Sequence, residues 1–428
     1  MLKGPKKISK RQIIFGSLFI AYIIMVLGVT FISRGSHFQG SMNIHFLSSY
    51  QEAWNKFTAL SWQFLILNIF MFVPFGFLLP LLHNKFFKFY YTLAASLLFT
   101  LFIELFQLKT GIGIFEVDDI FNNVLGAFIG YGIIMALISA FTAKNNKGIS
   151  VIGFLSPLLI TVAVFVGIFV YYDHKELGNI PQDYTYKINL NSAEIVVNTS
   201  LNESQDLAPI YKAPTYQKEE SAQWVRGFFE NMDIDTAGLE INAYNDNAIF
   251  WQRGEPTYNV WINYIGGRYS FTDFSSFDDE AEPMNIEEDL LMKAINDFGI
   301  TIPEEAIFTH EGAGRYQWKV DKLARGDTLI DGTITCTYYS DNTVKDLDNN
   351  LITYQKVRDA SVKSKKGAFG ELTEGKFRYI SDGKIDEIII ENISLDYILD
   401  TKGFYQPVYH FESIIDGNEH SILIPAIH

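Results

Sequence analysis

Cysteine is almost missing from this chain: Cys336 stands alone among 428 residues, so no disulfide can form within it. There is no HExxH and no Cys/His cluster at zinc spacing, and no metal or cofactor is expected. Basic patches of the kind that hold nucleic acid are missing from the acidic part, which excludes that class of partner. Acidic residues are scarce at the front, where residues 1–172 contain only 5 Asp and Glu against 12 Lys and Arg, a net of +7. The remainder therefore carries 44 against 22, a net of −22, and has no long apolar run. That asymmetry reads as a membrane module followed by a soluble acidic domain.

Five apolar segments approach the roughly 20 residues that a membrane-crossing helix needs. They fall at about 13–32, 62–82, 90–108, 119–141 and 149–172. The first is too long for a typical signal-peptide core, and GVTFISRGS offers no small-x-small cleavage site, so it reads as a retained anchor. Lys3, Lys6, Lys7, Lys10, Arg11, Lys85, Lys88, Lys144 and Lys147 flank alternate ends of the spans, against Arg34, Lys56 and Lys109 at the others. The positive-inside rule then predicts a cytoplasmic N-terminus, five crossings and an extracytoplasmic C-terminal domain. Between the first two spans, Phe46, Tyr50, Trp54 and Phe57 recur at helical spacing. This stretch reads either as a helix on the outer membrane surface or as a loop packed on the bundle.

The fourth span opens with FEVDDIFNN, and on the predicted topology this polar start lies at the outer interface. Carboxylates in a first turn have an ordinary structural use, satisfying free N–H groups and the helix dipole. Asp119, Asn123, Gly126 and Gly130 follow i, i+4, i+7, i+11 spacing and form one stripe, whose glycines allow close approach of another helix. Glu104 and Gln107 share a face near the outer end of the third span, and Asn68 lies near the outer end of the second. Pro74 and Gly76 are expected to interrupt that second span. An ionisable group inside a membrane span marks a functional site by default. Asn68, Glu104, Gln107, Asp118, Asp119 and Asn123 are accordingly the candidate ligand-binding residues, with Pro74, Gly76, Gly126 and Gly130 as helix-packing residues. Glu104 and Asp119 are also the candidate acid–base pair if the site is catalytic. The ordinary alternative for the amides is interhelical hydrogen bonding.

At these residues the chain resembles the VanZ-like family of bacterial membrane proteins. The resemblance rests on NIFMFVPFGFLLPLL, IELFQL and FEVDDIFNNVLGAFIGY in that order, and covers about residues 10–142. It implies Asn68, Pro74, Gly76, Glu104, Gln107, Asp118, Asp119, Asn123 and Gly126 as motif positions. Family members usually have Asp where this chain has Glu116, and many carry a basic residue where Gly111–Ile114 offers none. If that residue contacts an anionic ligand, the same ligand is in doubt here. Founding members are associated with resistance to teicoplanin, a lipoglycopeptide that attacks the cell wall. The resemblance thus implies an envelope role, with a membrane lipid or lipid-linked wall component as ligand.

The expected organisation is a four-helix VanZ-like module at 1–142, a fifth transmembrane helix at 143–172, a polar linker at 173–214, and an extracytoplasmic α+β domain at 215–428 built of two or three subunits. In that domain, helix–strands followed by helix–strands suggests two related units, each laying one helix on an antiparallel sheet. DTKGFYQPVYHFE and ILIPAIH resemble the extracytoplasmic domains of YycH/YycI-type regulators of cell-wall sensor kinases, which implies a protein partner. Catalytic signals are poor here. His410 and Glu412 would share a strand face, His174, His310, His420 and His428 stand apart, GAGRY lacks the context of a phosphate loop, and FDDEAEP lacks EF-hand spacing. The fold class expected is an α-helical bundle of five transmembrane helices followed by a soluble α+β domain with antiparallel sheets. Two functions compete: recognition of an amphiphile or lipid-linked wall component, and intramembrane acid–base catalysis on a membrane-bound envelope substrate.

Overall fold

A computed structural model describes residues 10–31, 41–142, 147–204, 206–277, 281–296, 298–379 and 384–427. Lys3, Lys6, Lys7, Arg34, Lys144, Asp278, Asp279, Glu280 and His428, and the side chains of Arg11 and Lys147, lie outside this description. The chain divides into two compact units, Met1–Glu176 with Tyr184–Tyr186, and Leu177–Asp183 with Lys187–His428.

The first unit is helical. It runs α1 (Lys10–Phe31), the short strand β1 (Met42–Asn43), α2 (Ser48–Lys56), α3 (Ala59–Leu82), α4 (Phe89–Thr110), β2 (Phe115–Glu116), α5 (Val117–Thr142) and α6 (Lys147–His174). Five of these, all but α2, are long and apolar enough to cross a membrane, which suggests a membrane protein. Large apolar side chains such as Ile20, Leu98 and Phe141 remain exposed on them, the surface a lipid solvent accepts.

Glycine determines how α3 and α5 meet. A Cβ added at Gly126 would lie 2.0 Å from the Ile69 carbonyl oxygen, and one at Gly130 would lie 1.9 Å from that of Val73. Reciprocally, a Cβ at Gly76 would lie 1.8 Å from the Ala127 oxygen. The two backbones are therefore in direct contact, as the glycine spacing predicts. Helix α3 runs unbroken through Pro74 and Gly76, against the expected interruption. Proline removes only its own N–H, and a membrane helix tolerates that loss when neighbouring helices pack around it. Gly76 is a contact point rather than a break. The stretch after α1 forms a helix, α2, and packs on the bundle: Ala53, Trp62 and Leu65 make a small core with Trp54, Phe57 and Phe165.

The second unit carries strands β3 (Glu194–Val197), β4 (Leu207–Lys212), β5 (Glu240–Ala243), β6 (Asn247–Gln252), β7 (Tyr258–Asn263), β8 (Tyr269–Asp273), β9 (Ile307–Gly312), β10 (Arg315–Arg325), β11 (Thr328–Tyr338), β12 (Val344–Asn349), β13 (Ile352–Ser361), β14 (Glu387–Leu399), β15 (Phe404–Ile415) and β16 (Asn418–Pro425). They form one sheet, antiparallel except where β3 runs parallel to β14. Helices α7 (Lys218–Asn231), α8 (Glu288–Asn296) and α9 (Lys365–Thr373) pack on it. The one-helix-per-unit arrangement does not hold. Val225 and Phe229 of α7 share one core with Leu291 and Ile295 of α8, while Ala368 and Leu372 of α9 enter a second core with Ile388, Phe411 and Ile422. Nor is 173–214 a linker throughout, since β3 and β4 are paired strands of the sheet. GAGRY forms the tight connection from β9 to β10, with positive φ at Gly312, Ala313 and Gly314.

Candidate functional site: a polar pocket beside α2

The polar residues of the membrane module fall into three groups. The first clamps α2. Asp118 is 2% exposed, and its carboxylate accepts the backbone N–H of Leu47 at 2.6 Å and of Ser49 at 2.8 Å. These donors are at the start of α2, where Leu47 takes the left-handed conformation that a side chain disfavours. The capping use of a first-turn carboxylate thus applies, but to a helix other than its own. Tyr50 donates its hydroxyl to Asn122 Oδ1. Burial, reinforced by the charges of Asp118 and Asp119, pushes the Tyr50 phenol up to about 12, so it stays a donor.

The second group is a buried layer between α4 and α5. Thr92, Ser96, Thr100, Glu104 and Gln107 are all buried and mark one stripe along α4. Asn123 of α5 donates to Thr100 Oγ1 at 2.8 Å, and Glu104 accepts the backbone N–H of Glu116 at 3.1 Å. Gln107 Oε1 and Asn123 Oδ1 are fully buried without a hydrogen-bond partner. Glu104 therefore holds β2 in place, and β2 in turn pairs in parallel with β1.

The third group lines a cavity of about 330 Å³. Asn68 of α3 donates to Asp119 of α5 at 2.6 Å across its wall, and Glu116, Asn43, Ser49 and Glu52 add polar lining. Glu52 is also paired with Lys56 at 2.6 Å. Phe64 and Leu65 supply an apolar side, and Ser61, Thr185 and Tyr186 are also part of the lining. Among the described residues no Lys or Arg lines the cavity, while Glu52, Glu116 and Asp119 do, so it suits a ligand rich in hydrogen-bond donors or carrying positive charge.

Of the six predicted binding residues, the structure places Asn68 and Asp119 in the cavity, Glu104, Gln107 and Asn123 in the layer behind it, and Asp118 under α2. Thr100 was not singled out in the sequence, although it precedes Glu104 by one helical turn, and Asn122 was read only as part of the polar start of the fourth span.

A VanZ/LLP1 family model matches residues 19–139. The match covers α2 to α4 whole, α1 from Phe19 and α5 as far as Ser139, and so the VanZ-like module contains all three polar groups apart from Thr185 and Tyr186. No curated protein matches the chain. Among solved structures, the chain is similar to the Bacillus megaterium YpeB C-terminal domain, with 13% identity and a TM-score of 0.20 over 50% of this chain and 94% of that one. In the second unit, His410 Nε2 lies 2.6 Å from Ser421 Oγ, while Glu412 accepts from Asn392 at 3.4 Å, so the two residues have separate partners. Among the described residues no group of His, Cys, Asp and Glu could hold a metal ion.

Proposed function

We propose that the VanZ-like module binds the head group of a membrane-embedded amphiphile or lipid-linked wall component in the polar cavity beside α2. On this reading the N-terminus is cytoplasmic, the cavity opens at the outer leaflet, and the second unit is extracytoplasmic and contacts a protein partner there. The observation that supports it most is the Asn68–Asp119 pair in the wall of a cavity that is polar on one side and apolar at Phe64 and Leu65. A head group and the start of an acyl chain would need that combination. The family match of the module supports a cell-envelope role, and protection against teicoplanin is the specific form of that role proposed here.

Acid–base catalysis by Glu104 and Asp119 is the second reading, and the geometry favours it less. Glu104 is 2% exposed, takes a backbone N–H, and does not line the cavity. The test is teicoplanin susceptibility of a deletion strain expressing wild type or Asp119→Asn at matched membrane levels. Protection by wild type and its loss in Asp119→Asn supports binding at the cavity. Equal protection by both removes Asp119 from the function, and no protection by either removes the teicoplanin phenotype.

A further inference from the structure

We propose that Tyr184–Tyr186 is a lid on this cavity and that Tyr186 is its latch. The proposal rests on the reading of the cavity as a binding site. These three residues follow α6 yet group with the membrane module, whereas Leu177–Asp183 before them and the chain from Lys187 onward group with the second unit. The contacts of the strap with the module include a hydrogen bond and a ring stack. Asn55 Nδ2 donates to the Tyr184 carbonyl at 3.1 Å, and the Tyr186 ring stacks on His45 with centroids 3.6 Å apart and planes at 5°.

The two contacts differ in kind. Asn55 is 2% exposed, so its hydrogen bond is shielded from competing water. His45 is exposed, and a stack at the surface exchanges readily with solvent or with another ring. The exposed stack is the weaker of the two, so the strap opens by Tyr186 leaving His45. A head group that carries a ring, such as a sugar, competes for the same face of Tyr186 and is selected over a head group without one.

The lid also lies outside residues 19–139. Two residues that wall the cavity are thus supplied by the part of the chain beyond the family match. Access to the site, on this proposal, is a property of this chain and not of the module alone.

The test uses the full-length chain in detergent micelles with Ser61→Cys as a probe in the cavity wall. The native Cys336 is 2% exposed and adds little background. The readout is the rate of labelling by a charged maleimide. Tyr186→Ala is expected to speed labelling of the probe about tenfold, and Tyr186→Phe, which keeps the ring, to leave the rate at the native value. An equal rate for Tyr186→Ala and the native strap overturns the lid. If Tyr186→Ala does not accumulate, His45→Ala removes the other half of the stack and is judged by the same criterion. Faster labelling in Tyr186→Ala together with equal teicoplanin protection by wild type and Asp119→Asn supports the lid while removing the binding reading of the cavity, so the two failures are told apart.

Discussion

Replacing Asp118 by Asn should loosen α2 from the start of α5 while leaving the membrane helices in place. The native carboxylate serves two backbone donors, Leu47 N–H at 2.6 Å and Ser49 N–H at 2.8 Å, from a site 2% exposed. Asparagine keeps one acceptor oxygen and points an NH₂ group at the other donor. A hydrogen bond to a charged group contributes about 1.5–3 kcal/mol, and a buried donor left without a partner costs about 1–3 kcal/mol. These overlap, so the net loss is about 2–4 kcal/mol. At about 1.4 kcal/mol per factor of ten, local opening becomes roughly 30- to 700-fold more frequent. Hydrogen exchange of the full chain in detergent reads that opening directly, through peptides covering α2. Peptides from α9 in the second unit serve as the control and should not change. Native exchange rates across 47–57 in Asp118→Asn would refute the clamp and return Asp118 to the ligand-binding set.

Two further outcomes follow from the packing. Gly126→Ala places a Cβ 2.0 Å from the Ile69 oxygen, where ordinary contact begins at 3.4 Å, so α3 and α5 must separate by about an ångström or more. Its melting temperature in detergent should fall, whereas Gly28→Ala, with nothing within 4 Å, should melt like the native chain; equal melting of all three would refute backbone contact. Burial pushes the Cys336 thiol up to about 12, so at pH 8 it is neutral and inaccessible. Alkylation of the native chain at pH 8 should be at least about a hundredfold slower than of the urea-unfolded chain, and similar rates would place Cys336 outside the core.

Much of the membrane module was legible because its signals are local. Apolar runs of span length and glycines at i, i+4 depend on neighbours within one helix, and they identified the spans and the close-packing face of α5, while its partner α3 came only from the structure. Asp118 was misassigned because its partners are 71 and 69 residues away in the chain. Glu104 was expected in the pocket, but its acceptor role for Glu116 depends on how the chain turns between α4 and α5. Nothing in QDYTYK announces that Tyr186 meets His45. In the second unit, LAPIYK falls in the expected linker, and it contains Pro209, which has no N–H to give a sheet. Yet β4 pairs with β13 along its length and with β15 only through Lys212 and Tyr211, so the missing N–H of Pro209 faces no β15 partner. Helix α9 was missed because KKGAFGELT contains two glycines, and burial of Ala368 and Leu372 outweighs their low propensity.

The bare contact between α3 and α5 has a mechanical consequence. Helices separated by a layer of side chains can slide as rotamers adjust, but two backbones in contact at Gly76, Gly126 and Gly130 have no such layer to deform. When bilayer thickness changes, this pair should tilt as one plank, and mismatch would be taken up by the helices around it. Asn68 and Asp119 ride on opposite members of the plank, so the hydrogen bond that joins them in the cavity wall is insulated from the lipid composition of the surrounding membrane.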